Sequence, residues 1–180
     1  MSLEDDLLRQ RLERVRQIAA LGYKPYGHRF DYTHTIPAIL DEFTPRTAEE
    51  LDANRVPVRI CGRIQTLRRM GKAGFAHIVQ RTGKLQVYIK KDAVPEKDFE
   101  LYQLIELGDQ IGVDGYLFRT RTGELSVHVE KIYFLSKTLL SMPEKWNGLE
   151  DVEIRYRQRY LDLIANDEVQ KIFLTRAKII

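Results

Sequence analysis

Residues 74–90 read GFAHIVQRTGKLQVYIK, and this stretch decides how the middle of the chain folds. Apolar residues alternate with polar or aromatic ones on each side of Thr82-Gly83, and alternation with a period of two is typical of β-strands. Threonine followed by glycine is suited to a tight turn. The pattern therefore predicts a hairpin with strands at 74–80 and 85–90, one face apolar and the other aromatic and polar.

The same alternation continues on both sides of this hairpin. It recurs in three further segments, which are residues 56–67, 110–119 and 124–135. Thr122-Gly123 predicts a second hairpin, and the apolar spacing in 97–107 predicts a helix that ends at Gly108. Five strands with a helix between the third and the fourth is the order of an OB-fold barrel, which binds oligonucleotides. A generic small β-barrel would have the same number of strands.

Helical spacing marks both ends of the chain. Helices are predicted at residues 4–21, 47–53, 149–164 and 168–180. Gly22 is suited to cap the first of them, and Pro25 prevents its continuation. The last pattern reaches Ile180 without a cap, as expected of a chain that is cut within a longer helix.

These patterns predict a mainly β protein with flanking helices: a five-stranded OB-fold barrel plus an N-terminal helix and C-terminal helices. The 180 residues are 43% hydrophobic, which is enough for one domain with a core. We expect an N-terminal helix and connector in residues 1–54, the barrel in 55–140, and a linker with further helices in 141–180.

Composition excludes several classes of protein. The single cysteine, Cys61, can neither form an internal disulfide nor build a zinc site alone. No apolar run approaches the roughly 18–20 residues of a membrane span. The N-terminus lacks the apolar stretch of a signal peptide. A soluble intracellular protein without a membrane partner is therefore expected.

Positive charge is concentrated in one segment. Residues 55–91 contain ten lysines or arginines and no aspartate or glutamate, although the formal net charge of the whole chain is only +3. A basic block inside an otherwise acidic chain is typical of proteins that bind a polyanion. A solvated basic face would carry the same charge, so the block alone leaves both interpretations open.

Alternation also assigns the faces of the strands. The positions predicted to point inward are Ile60, Ile64, Ala76, Ile78, Leu85, Val87, Ile89, Leu125, Val127 and Val129. The outward face carries Phe75, Tyr88, His77 and His128 together with several cations. Aromatic rings there can stack on unpaired bases, at ~1–3 kcal/mol per base, while arginine and lysine follow the phosphates. Alternatively, Tyr88 serves cross-strand packing, the N-terminal helix covers Phe75, and both histidines are satisfied surface residues.

Motifs of catalytic sites are missing from the sequence. Residues 71–74, GKAG, lack the spacing of a phosphate-binding loop, so we interpret them as a connection between strands. The four histidines do not have the spacing of metal ligands. No catalytic residue and no metal ligand is therefore predicted in this chain.

Residues 148–164, GLEDVEIRYRQRYLDLI, resemble the junction segment of class II aminoacyl-tRNA synthetases of the lysyl, aspartyl and asparaginyl subgroup. Within them, RYRQRYLDLI is most similar to the lysyl enzymes. Residues 71–75 (GKAGF), 83–88 (GKLQVY) and 121–128 (RTGELSVH) also resemble lysyl-tRNA synthetases, as do residues 11–26. The resemblance thus covers nearly the whole chain.

This resemblance implies an N-terminal OB domain that binds the tRNA(Lys) anticodon loop, followed by a catalytic domain that charges the tRNA with lysine. Residue by residue, it implies base stacking by Phe75 and base reading by Gln86. It also implies anticodon contacts by Arg68 and Glu124. Arg63 lies on the same outer face, and we add it as a phosphate or base contact.

The resemblance further implies a longer enzyme. The intact synthetase would be a cytoplasmic homodimer that uses ATP and magnesium. The motifs that hold ATP and lysine are missing here, so this stretch is expected to need no cofactor and to be inactive alone. Residues 141–180 would then be a linker and the start of a truncated class II catalytic domain. The open alternatives are an aspartyl or asparaginyl relative, a nonspecific single-strand-binding OB module, and a structural fragment without RNA affinity.

Overall fold

A computed structural model describes residues 3–140 and 151–180. They belong to two compact units, Met1–Leu140 and Ser141–Ile180. The linker predicted at the start of 141–180 lies outside the described residues. Within the described ranges, no helix has both the length and the apolar character that crossing a membrane requires.

The first unit is built around a closed barrel of five strands. They are β1 (Pro57–Met70), β2 (Ala73–Gln80), β3 (Gly83–Lys90), β4 (Gln110–Arg119) and β5 (Leu125–Ser136). Around the barrel the order is β1-β2-β3-β5-β4, with β3 and β5 parallel and the other neighbours antiparallel. The predicted five-stranded OB-fold barrel is confirmed.

The barrel interior is filled by side chains that alternation predicts to point inward. Ile60, Ile78 and Val87 are completely shielded from solvent, and Val113 and Val127 join them from β4 and β5. Burial of such side chains is the dominant favourable contribution to folding. It also fixes the register of the strands, because a slip by one residue would turn the polar face inward.

β1 is long enough to pair with two different strands. Its first half pairs with β4 and its second half with β2. The register with β2 shifts between Ile64 and Thr66, which indicates a β-bulge. Beyond the bulge Arg68 lies opposite Phe75. Residues directly opposite each other share a face of the sheet, so both point outward.

Four α-helices of the described residues belong to this unit, besides a short 3-10 helix at Lys91–Ala93. They are α1 (Leu3–Ala20), α2 (Ile36–Phe43), α3 (Ala48–Ala53) and α4 (Glu96–Leu104). The predicted cap of α1 is confirmed, since Gly22 has a φ of +79° and Tyr23 donates its N–H to the Ile18 carbonyl. At the start of α3, Thr47 and Glu50 cap each other's backbone N–H groups.

Helix α2 is a feature that apolar spacing did not predict. Thr35 caps it by accepting from the Ala38 N–H, and proline occupies its first turn. The helix packs against β2 and β3, and the Ile36 N–H donates to Gln80 Oε1 at 2.9 Å. The predicted connector therefore contains a helix that covers the end of the first hairpin.

Gly74 on β2 is a position where a side chain does not fit. A Cβ there would lie 2.6 Å from the Arg68 carbonyl oxygen and 1.9 Å from Oη of the fully buried Tyr102. Neither atom can move freely, so Gly74→Ala is expected to lower the free energy of unfolding by about 1–3 kcal/mol. Gly27→Ala is the control, because its Cβ would meet its nearest neighbour at an ordinary 3.8 Å. Equal urea midpoints for the two variants would contradict this prediction.

The second unit consists of three helices in the residues that the structure describes. They are α5 (Val152–Arg157), α6 (Arg159–Ala165) and α7 (Asp167–Ile179). The segment predicted as one helix is thus divided at Gln158. The buried Asp162 carboxylate accepts from Arg155 at 3.1 Å and also from Arg159. This buried charge is compensated by two guanidinium groups, of which Arg155 joins α5 to α6 and Arg159 belongs to α6 itself.

Candidate nucleic-acid interface

Four aromatic rings form a continuous row on the outward face of the barrel. Register places them opposite one another on successive strands: Phe75 on β2, Tyr88 on β3, His128 on β5 and Tyr116 on β4. The ring centroids lie 4.8, 5.5 and 4.9 Å apart in that order. We call these four residues the aromatic band. It offers a surface on which unpaired bases could stack.

An arginine lies near each end of the aromatic band. Arg68 is exposed and pairs with Phe75 across β1 and β2. At the other end the Arg55 guanidinium lies 4.3 Å from the centroid of the Tyr116 ring, in a cation–π contact. The positive charges predicted from the basic block therefore flank the rings, where they could contact phosphate groups.

A row of hydrogen-bonded polar side chains lies next to the aromatic band. It runs from Thr66 to His77 (2.7 Å), from His77 to Glu124 (3.0 Å) and from Gln86 Nε2 to Glu124 Oε2 (2.7 Å). Ser126 completes it by donating to Gln86 Oε1 at 2.9 Å. We call these five residues the polar network. Its members come from β1, β2, β3, β5 and the turn before β5.

The structure brings four of the five predicted site residues together. Phe75 belongs to the aromatic band, Arg68 lies opposite it, and Gln86 and Glu124 belong to the adjacent polar network. Gln86 is largely buried, whereas 48% of the Glu124 side chain is exposed. The amide and the carboxylate thus hold each other in place while Glu124 remains accessible to a ligand.

Arg63 does not join this group. It lies on β1 before the bulge, opposite Gln110 on β4 and Val79 on β2. Its guanidinium donates to the Gly108 carbonyl at 2.7 Å, and burial lowers its pKa. This geometry gives Arg63 a structural role at the barrel wall, and its contact with an anticodon stays a prediction.

Sequence reasoning missed two aromatic residues and one cation of this face. Tyr116 and Phe118 point outward from β4, and Phe118 lies 6.1 Å from Tyr88 between ring centroids. The signal was present, since alternation along 110–119 places both on the polar face. Arg55 appeared only as part of the basic block. Its position over the Tyr116 ring depends on the pairing of β1 with β4.

His128 is expected to make the stability of the folded barrel depend on pH. Burial lowers its pKa; Glu130 opposes this change, while Arg55 and Lys90 favour it. A lowered folded pKa means that the unfolded chain binds the proton more readily. The stabilising contribution of neutral His128 is therefore complete above about pH 6.5 and is lost as the pH falls through the folded value.

His128→Phe tests this prediction, because phenylalanine keeps a ring but cannot titrate. The free energies of unfolding of wild type and variant are compared by urea denaturation between pH 5 and pH 8. We expect wild type to lose stability relative to the variant as the pH falls. A difference that stays constant across this range would show that His128 protonation is not linked to folding.

Residues 58–135, which contain nearly all of the barrel, match the family described as OB-fold nucleic acid binding domain, of the tRNA anticodon type. The barrel has the OB fold, and its sequence is similar to this family. The aromatic band and the polar network lie within the matched residues.

Over nearly its whole length, the chain is similar to lysine–tRNA ligases. The chain is 45% identical over 176 residues to the lysine–tRNA ligase of Halalkalibacterium halodurans, covering 98% of this chain and 35% of that protein. It is 47% identical over 176 residues to the lysine–tRNA ligase of Pelotomaculum thermopropionicum, covering 98% and 33%. It is 46% identical over 180 residues to the lysine–tRNA ligase of Moorella thermoacetica, covering 100% of this chain and 35% of that protein.

The chain spans about a third of the length of the curated relatives that it matches. The chain is thus similar to a part of lysine–tRNA ligases, and its barrel is similar to OB-fold domains of the tRNA anticodon type. The resemblance noted in the sequence is thereby confirmed. The roles of the individual site residues are not addressed by these comparisons and stay predictions.

Proposed function

We propose that this OB-fold domain binds the anticodon loop of tRNA(Lys), as the anticodon-binding part of a lysine–tRNA ligase. The observation that carries the proposal is the aromatic band beside the polar network. Rings that can stack on bases and groups that can read base edges occupy one outward face. Similarity to lysine–tRNA ligases supports the choice of tRNA as the ligand.

The chemistry of this face suits uracil, the base in which lysine anticodons are rich. Uracil presents two carbonyl acceptors and one N3–H donor. Glu124 can accept from N3–H, and the second amide hydrogen of Gln86 can be donated to a carbonyl. The Phe75 ring would stack on the face of the base, and Arg68 would donate a hydrogen bond to a carbonyl or a phosphate.

We assign the remaining properties to the longer protein of which the relatives are examples. Charging of tRNA with lysine, the use of ATP and magnesium, dimer formation and a cytoplasmic location all belong to this proposal. Residues 3–140 and 151–180 contain no group of three or more His, Cys, Asp or Glu side chains that could hold a metal ion.

Anisotropy titration of the 180-residue chain tests the proposal. Three labelled stem-loops are compared at one moderate salt concentration: one with the anticodon UUU, one with GUC and one with a scrambled loop. We expect the UUU loop to bind most tightly. Preference for GUC would instead indicate an aspartyl-type domain, and equal binding a nonspecific single-strand-binding module. Absence of binding to all three would overturn the proposal.

A further inference from the structure

We infer that His77 is a positioning residue for base recognition, which holds the Glu124 carboxylate in the orientation that accepts a hydrogen bond from a base. The inference rests on the proposed function, which assigns no role to His77. It starts from two hydrogen bonds of one imidazole ring: Nδ1 lies 2.7 Å from Thr66 Oγ1, and Nε2 lies 3.0 Å from Glu124 Oε1.

The partners of this ring determine where its protons lie. An ionised carboxylate only accepts hydrogen bonds, so Nε2 of His77 must carry a hydrogen when it contacts Glu124. A hydroxyl group can donate or accept. Thr66 therefore donates to Nδ1 when the ring is neutral and accepts from it when the ring is protonated. The hydrogen bond to Glu124 persists in both charge states.

Glu124 needs such an anchor because of its place in the fold. It follows Gly123, which has a φ of +83°, in the turn before β5, and about half of its side chain is exposed. Gln86 donates to one carboxylate oxygen and His77 donates to the other. Two donors on two oxygens fix the plane of the carboxylate, and each oxygen keeps a lone pair for a base.

Neighbouring charges make this restraint necessary. Thr66 on β1 and Gln86 on β3 lie directly opposite His77. Two exposed cations lie on the same face: Arg68 is two residues from Thr66 on β1, and Lys84 is two residues from Gln86 on β3. Without His77, these cations would compete for the Glu124 carboxylate. The imidazole therefore keeps the acceptor directed at the ligand.

A double-mutant cycle on the 180-residue chain tests the inference. His77→Ala, Glu124→Ala and the double variant are titrated with the UUU and the scrambled stem-loops. We expect His77→Ala to lower the ratio of the two affinities roughly tenfold, as for loss of a hydrogen bond to a charged group. The double variant should match Glu124→Ala, because His77 acts through that carboxylate. His77→Gln keeps an N–H donor at similar reach and should restore most of the ratio.

The possible outcomes separate this inference from the proposed function. If wild type does not prefer the UUU loop, the proposed function is overturned. If wild type prefers it but His77→Ala keeps the full ratio, the positioning role is wrong. The same holds if His77→Ala lowers the ratio equally with and without Glu124. Thermal unfolding of each variant identifies a purely structural role, which would lower Tm and weaken binding of both RNAs alike.

Discussion

Lys137→Met is expected to lower the free energy of unfolding by about 3–5 kcal/mol, the cost of breaking a buried ion pair by removing one partner. The Lys137 ammonium is fully buried and donates to Asp109 at 2.8 Å and to Glu106 at 2.6 Å. Asp109 is also fully buried, and it accepts from the backbone of Thr138 and Glu106. The variant would leave this buried negative charge without the cation that is hydrogen-bonded to it. Urea denaturation measures the loss.

The loss should depend on pH in a definite direction. Burial raises the pKa of Asp109, and its hydrogen bonds with Lys137, Thr138 and Glu106 oppose that rise. Lys137→Met removes one of these opposing interactions, so the pKa rises further. A folded pKa above the unfolded one favours the folded state at low pH, and this advantage is lost as the pH rises. The variant should therefore be most destabilised near neutral pH and recover towards pH 4.

Two controls belong with this experiment. The double variant Asp109→Asn/Lys137→Met removes both fully buried charges and keeps a side-chain oxygen for the Thr138 N–H, so it should be more stable than Lys137→Met alone. Lys171→Met removes an exposed lysine paired with Glu168 and should change stability by less than about 1 kcal/mol. A single Lys137→Met variant as stable as Lys171→Met would show that the buried pair contributes little.

Much of the barrel could be predicted because period-two alternation is a local signal. The inward positions Ile60, Ile78 and Val87 are all buried, and Phe75 and Tyr88 point outward as expected. The polarity of each side chain reports which face it occupies, and this information does not depend on distant parts of the chain. The faces of the strands are therefore readable from the sequence.

Arg68 shows where alternation fails. A strict period of two from Ile60 and Ile64 predicts that Arg68 points into the barrel. The bulge after Ile64 adds one residue and turns Arg68 to the side of Phe75. Nothing in the spacing of apolar residues reports this bulge. Family resemblance, rather than periodicity, was what assigned Arg68 to the interface.

The sequence also does not show which residues become neighbours on adjacent strands. Alternation places Tyr88, His128 and Tyr116 outward, but only the closed order β1-β2-β3-β5-β4 brings their rings into one row. The same limit explains Arg63. Its outward direction was predictable, whereas its hydrogen bond to Gly108 depends on how the segment before β4 approaches β1.

Phe75→Ala is expected to weaken binding of the UUU stem-loop by ~1–3 kcal/mol, or roughly 5- to 150-fold in Kd. The ring lies 4.8 Å from Tyr88 at the end of the aromatic band and is only partly buried. A base stacked on it would lose its aromatic platform, whereas Gln86 and Glu124 would remain. Anisotropy titration at fixed salt measures the change.

Stacking and packing can be separated with two further variants. Phe75→Leu keeps an apolar side chain against Tyr88, so it should fold like wild type and still bind the UUU loop weakly. Tyr26→Ala removes another aromatic side chain, which is 62% exposed. Its neighbour Gly27 lies close to Leu135, at the end of β5 that is distant from Ser126 and His128. This control should bind like wild type. Wild-type affinity for Phe75→Ala and Phe75→Leu would exclude stacking on Phe75, and weakened binding by Tyr26→Ala would place the RNA on another part of the surface.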